Sequence, residues 1–303
     1  MSDEGNLPRK PWYRKTRYIV LIGFIVILLV LSILPSVLPA PPVSKDQSVL
    51  NRTVDYFANN YNATTGLIPS APNGKTFWLY SDNYLASLAL LRYDANNQST
   101  VSFAKALDAA LEGYYSTLPK YYAQNQYTAL NSTTASFLCS QNLTIGWAGA
   151  SNSSVTLGGS AAISTTANSG ANTCATGNYA DSLFLQAIFY HHLGNDTQAV
   201  QLFKLAQGDF DGKGFVDQSN SAGNYETYKL ALYVYTSSCL NQASSDAKLP
   251  TIESLLLRQQ DNSTGGFYGT YNTSLAHSSN VDTQATAMGS LAVELMINPS
   301  SAC

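Results

Sequence analysis

The chain has 303 residues, 45% of them hydrophobic and only 12% charged, with a net charge of −3. Twenty tyrosines and eleven phenylalanines supply core material, so the low charge does not signal disorder, and no basic field is present to hold a nucleic acid. Ser, Thr, Asn and Tyr stand where Lys and Glu would usually cover the surface, which suits an acidic exterior because little is lost when carboxylates are protonated.

Residues 1–17 end in a basic run, Arg9, Lys10, Arg14, Lys15 and Arg17, and are expected as a cytoplasmic tail. Tyr18–Leu34 is uncharged, and extended to Leu38 it approaches the ~30 Å of a bilayer core. Residues 18–38 therefore read as a transmembrane signal-anchor contacting the lipid bilayer, with the C-terminal part extracytoplasmic. A signal peptide cut near Val37-Leu38-Pro39-Ala40 is the alternative. Pro35, Pro39, Pro41 and Pro42 form a stiff stalk through residue 45, and the domain occupies residues 46–303.

Within the domain, amphipathic stripes alternate with segments apolar on every face. The stripes are Val49, Leu50, Val54, Phe57 and Ala58; Phe103, Leu107, Ala110, Leu111 and Tyr114, with Lys105, Asp108 and Glu112 opposite; Ala199, Leu202, Phe203 and Ala206; and Ile252, Leu255 and Leu256. The all-apolar segments are Tyr84–Leu91, Leu183–Tyr190, Tyr228–Tyr235 and Ala285–Met296. A one-sided helix lies outside and an all-apolar helix lies inside, so the order is outer, inner, four times over. The fold class implied is all-α, repeated helical hairpins, preceded by the transmembrane helix. Residues 118–178 interrupt the pattern as a Ser/Gly-rich insertion bracketed by Cys139 and Cys174. It has short strands at Thr144–Trp147 and Val155–Leu157, and room for one more helix at Tyr121–Leu138.

Four cysteines in an exported chain imply two disulfides. Sequence proximity alone favours Cys139–Cys174 and Cys239–Cys303, with four free thiols as the alternative. Nine N-x-S/T sequons, at Asn51, Asn62, Asn97, Asn131, Asn142, Asn152, Asn195, Asn262 and Asn272, point to a glycoprotein.

A glycine turn precedes three of the inner segments, and an acid follows each turn. Gly66 leads to Asp82 and Gly266 to Asp282, both after 16 residues, and Gly214 leads to Glu226 after 12. Recurrence of this kind marks repeated supersecondary units. The run Gln259-Gln260-Asp261 with Gly265-Gly266-Phe267-Tyr268-Gly269 resembles the glutamine-and-glycine turns of the terpenoid-cyclase branch of the α/α-toroid superfamily. Tyr225-Glu226-Thr227 and Val281-Asp282-Thr283 are similar to inner-helix starts there and in the six-hairpin glycosidases. The resemblance spans about Asp46–Met296, but four hairpins are fewer than the five to seven of closed toroids, so the array is either an open arc or holds further hairpins within Leu118–Asn178.

The resemblance implies a carbohydrate cleft at the N-terminal ends of the inner helices. Asp82, Asp181, Glu226 and Asp282 would be the acid/base set, Asp82 with Asp282 as the first pair. Trp78, Tyr80, Trp147 and Tyr225 would be sugar-stacking surfaces, with His277 beside them. Such a site would belong to a glycoside hydrolase or polysaccharide lyase. A surface binding or structural glycoprotein is the competing reading, because an acid at a helix start is also an ordinary cap. Asp209-Phe210-Asp211-Gly212 through Asp217 imitates part of a calcium loop, but Lys213 and Asn220 replace needed ligands, so it reads as a turn. No metal-ligand cluster, nucleotide loop or nucleophile elbow is present, so no metal and no cofactor is expected.

Overall fold

The computed structural model describes residues 47–72, 77–93, 97–114, 143–147, 154–157, 161–167, 179–217 and 223–298. All of them fall in one compact unit, Val43–Cys303. Eight helices dominate the described residues: α1 (Gln47–Asn60), α2 (Tyr80–Tyr93), α3 (Gln98–Tyr114), α4 (Ala180–His192), α5 (Asp196–Gly208), α6 (Thr227–Cys239), α7 (Leu249–Arg258) and α8 (Thr283–Ile297).

The all-α expectation, headed by a transmembrane helix, is corrected on two counts. Eight short strands accompany the helices: β1 (Phe77–Leu79), β2 (Leu143–Trp147), β3 (Ser154–Leu157), β4 (Ala161–Ala167), β5 (Asn224–Glu226), β6 (Phe267–Tyr268), β7 (Thr270–Asn272) and β8 (Val281–Asp282). Also, no helix among the described residues is long and apolar enough to cross a membrane. The longest, α3, has 17 residues and carries Lys105, Asp108 and Glu112. The tail, the candidate span at residues 18–38 and the proline stalk all lie outside the described residues.

Helices α2, α4, α6 and α8 form the inner set. In α6 and α8 nearly every residue is buried, because each is packed by helices on several sides. Contacts run α2 to α8, α8 to α6 and α6 to α4, so the last inner helix lies against the first. The outer helices α3, α5 and α7 each pack on the inner helix adjacent in sequence, and α1 packs chiefly on α8. One wide core results, from Tyr56 and Phe57 through Phe184, Phe203, Phe215 and Tyr233. At the C-terminal ends of α2 and α8, Arg92 and Glu294 form an ion pair at 2.7 Å with both side chains nearly buried.

Three glycine turns organise the opposite end. Each is headed by an Asn or Asp whose side chain accepts backbone N–H groups of the turn: Asn62 from Thr64, Asp211 from Lys213 and Gly214, and Asp261 from Ser263 and Thr264. Each turn then satisfies the start of a neighbouring inner helix. Thr283 N–H donates to the Ser70 carbonyl at 3.0 Å and Thr283 Oγ1 to the Pro69 carbonyl at 2.6 Å. Thr227 N–H donates to the Gly269 carbonyl at 3.0 Å. Ala180 N–H donates to Asp217 Oδ2 at 3.0 Å. Helix-start N–H groups lack intrahelical partners, so these bonds fix where α8, α6 and α4 begin.

The short strands belong to the same end. β5 pairs antiparallel with β7, Tyr225 opposite Tyr271, and β6 pairs with β8, Phe267 opposite Asp282. The larger sheet has the order β1-β2-β4-β3, so the insertion is joined by β2 to the strand that leads into α2. β2 and β3 occupy the expected strand positions. Two surface expectations are corrected. Asp108 is buried between α3 and α2 rather than facing water, and Ala58 is exposed while Thr53 and Tyr56 turn inward. Thr53 and Tyr56 do so because their hydroxyls find partners there, the Val49 carbonyl at 2.9 Å and Thr283 Oγ1 at 3.2 Å.

Candidate functional site

Because their starts are tied by turns at one end, the inner helices bring their leading acids together. Asp181 lies in the first turn of α4, Glu226 at the residue before α6 and Asp282 at the residue before α8. These three carboxylates line one open cleft of about 560 Å³. Ser70, Tyr228, Thr270, Ser279 and Gln284 supply most of its remaining polar wall. Asp82, in the first turn of α2, does not reach the cleft; it is 1% exposed.

The four acids have unlike surroundings. Burial, then the neighbouring charge of Asp282, holds the Asp82 carboxyl well above the usual carboxylate range. Burial also raises Asp181; Lys229 pulls it back in part, while Glu226 and Asp217 push it up. One oxygen of Asp181, Oδ1, is buried without a hydrogen-bond partner. Asp282 is raised by burial too, against the pull of the Ala285 and Gln284 N–H groups. Its Oδ1 accepts from Ala285 N–H at 2.7 Å, which makes it the N-cap of α8. Glu226 makes no side-chain cap bond; it pairs with Lys229 at 3.0 Å, and 38% of its side chain is exposed.

Lys229 and Asp217 are the residues that sequence reasoning missed. Lys229 is 1% exposed, in the middle of an apolar run, and its ammonium donates to Asp217 Oδ2 at 2.6 Å. Burial alone would lower its pKa, but Glu226 and then Asp217 outweigh this and raise it. The signal was visible, since a lysine one turn after an acid inside an otherwise apolar helix needs a buried partner. The identity of that partner was not legible, because Asp217 comes from the preceding turn. That turn is held by Asp211, whose Oδ2 accepts from the Tyr225 hydroxyl at 2.6 Å, and by Asp217 itself.

The expected aromatic platforms are corrected. Trp78 is 1% exposed and belongs to the core. Tyr225 is also buried, its hydroxyl bonded to Asp211 and its ring beside that of Tyr271. His277 is exposed and stacks on Tyr268, with 3.7 Å between ring centroids, but it does not line the cleft. The side chains of Tyr80 and Trp147 lie outside the described residues. The aromatic that lines the cleft is Tyr228, whose phenol is kept protonated by burial and by the charges of Asp181, Asp82 and Glu226.

Cys239, the cysteine among the described residues, is disulfide-bonded; Cys139, Cys174 and Cys303 lie outside them. Compared with known proteins, the chain matches no family model, no curated protein and no solved structure.

Proposed function

We propose that the cleft binds a carbohydrate and hydrolyses its glycosidic bond, with Asp181 as the acid and Glu226 as the carboxylate partner. One observation carries this reading: carboxylates from three helix starts line a single cleft in unlike environments. Glycoside cleavage uses two carboxyl groups, one kept protonated by its surroundings and one ionised. Asp181 fits the first role, being raised by burial and having an oxygen without a partner. Glu226 fits the second, being half open to the cleft and ion-paired with Lys229. This assignment replaces Asp82 and Asp282 as the first pair, since Asp82 is shut off from the cleft and Asp282 is occupied as a cap. The disulfide at Cys239 supports an extracytoplasmic location, because such bonds persist in oxidising compartments.

The test is sugar release from a panel of polysaccharides by the purified protein, beside Asp181→Asn and Glu226→Gln. Turnover that falls at least a hundredfold in both folded variants supports the reading; turnover untouched by either would sink it. A second reading, a non-catalytic binding or structural surface glycoprotein, is favoured by the capping bond of Asp282 and the burial of Trp78 and Tyr225. It expects binding or no effect of sugars, without release from any substrate.

A further inference from the structure

We propose that Lys229 is the positioning residue of the cleft, holding Glu226 directly and the start of α4, with Asp181, through Asp217. The proposal rests on the assignment of Asp181 and Glu226 given above. Its ground is geometry. The Lys229 ammonium is buried where three pieces of chain meet: its own helix α6, the turn after α5, and the first residue of α4. It lies 3.0 Å from Glu226 Oε2 and 2.6 Å from Asp217 Oδ2. That same Asp217 oxygen accepts the Ala180 N–H, one residue before Asp181. A single cation thus ties one cleft carboxylate by an ion pair and the backbone under the other by a two-bond chain.

The arrangement answers a problem created by the fold. Gathering the starts of the inner helices gathers their acids, and like charges at such range repel. The groups facing Lys229 are Glu226 from the end of β5, Asp181 from α4, and Asp217 and the more distant Asp209 from the turn after α5. A lysine here supplies one positive charge to a cluster of acids without occupying the cleft, since its side chain is closed to solvent. A structural ion pair could have been placed anywhere between α6 and the turn; this one reaches both carboxylates assigned to the reaction. Lysine lowers the Asp181 pKa within a site that otherwise raises it, so it sets where on the pH scale Asp181 gives up its proton.

Lys229→Met alone would leave Asp217 as a buried, unpaired carboxylate, and the protein could fail to fold for that reason. The informative variant is therefore Lys229→Met with Asp217→Asn, which removes both charges and keeps an acceptor oxygen for Ala180 N–H. Lys229→Arg is the conservative control. Two readouts are made on the full-length protein: the pH profile of sugar release, and the titration of Asp181 followed by carboxyl carbon NMR. Measured against Asp217→Asn alone, so that the loss of the Asp217 charge cancels, the double variant should move the Asp181 midpoint upward by about one pH unit and carry the alkaline limb of the profile with it. Lys229→Arg, which keeps the charge, should leave the midpoint close to that of the parent. A folded double variant with both quantities unchanged overturns the proposal. Should the parent protein release no sugar, the hydrolytic reading fails, and the Asp181 midpoint alone then decides the role of Lys229.

Discussion

At the residue scale, Gly265 and Asp181 show how differently single positions are constrained. Gly265 has φ +81°, and a Cβ built on it would lie 2.0 Å from the Arg52 carbonyl oxygen, which belongs to α1. Neither the backbone angle nor the neighbour can yield cheaply, so Gly265→Ala should cost about 3 kcal/mol, read as a drop of several degrees in Tm. Gly113→Ala is the contrast: it meets nothing within 4 Å and lies on a helix, so it should be neutral or stabilise by about 0.5 kcal/mol. Asp181 is the opposite case, a residue whose native form carries a cost. Its folded pKa lies above its unfolded one, so at neutral pH its ionisation weighs against folding. Asp181→Asn should therefore melt higher than the parent at pH 7 while losing the proposed turnover. Asp282→Ala should melt lower than Asp282→Asn, by the ~1 kcal/mol of a lost N-cap, because both remove the buried charge and only the first removes the acceptor.

At the scale of elements, the joint between α1 and the final turn closes the array, and one side chain carries much of it. Gln260 Nε2 donates to the Val49 carbonyl at 2.9 Å and to the Gly265 carbonyl at 2.9 Å. Its Oε1 accepts from Arg52 Nη2 at 2.6 Å. Gln260→Ala would break the bonds that tie α1 to this turn and strip the buried Gly265 carbonyl of its side-chain donor, a cost of roughly 2–3 kcal/mol. Hydrogen exchange should then speed up in α1 and the turn at 261–266 together, with α4 and α5 unchanged. Uniform acceleration across all helices would mean the joint is not a local unit. The turn chemistry was half legible. The glycines stood out, but the heads Asn62, Asp211 and Asp261 were not recognised, although an Asn or Asp four residues before Gly66 and Gly265 is an ordinary turn signature.

At the scale of the whole molecule, the carboxylates tilt stability toward acid. Asp82, Asp108, Asp181 and Asp282 all have folded pKa values raised by burial, and Asp108 is pushed to about 6. Between the unfolded value near 4 and these raised values the native state binds more protons than the unfolded state, so stability falls as pH rises through that window. Asp108 alone accounts for roughly 2–3 kcal/mol of loss by neutral pH, from a shift of about two units. Asp211 and Asp261 act in the opposite sense. Burial would raise both, but the hydroxyl and N–H groups around them prevail and lower them, so their stabilisation is lost only as pH falls below about 4. The melting temperature should thus peak near pH 4–5, and Asp108→Asn should flatten the decline from pH 4 to 7. A maximum at pH 7 or above would contradict this account.

The sequence by itself determined which segments are helices and which of them are buried all round, because an apolar run such as Tyr228–Tyr235 has no wet face to offer. It also determined that acids stand at the starts of inner helices, since the spacing from glycine turn to acid is written in the chain. It did not determine what those acids face. Lys229 meets its neighbour Glu226 one turn back, which spacing can suggest, but it meets Asp217 and Asp181 through separate elements, and periodicity holds no information about such meetings. The same limit explains Asp108 and Trp78. A helical wheel assigns a side chain to a face, but only the packing of α3 on α2 decides that the face is buried. Likewise, an aromatic before a helix reads equally well as a platform or as core, until the neighbours that cover it are in place.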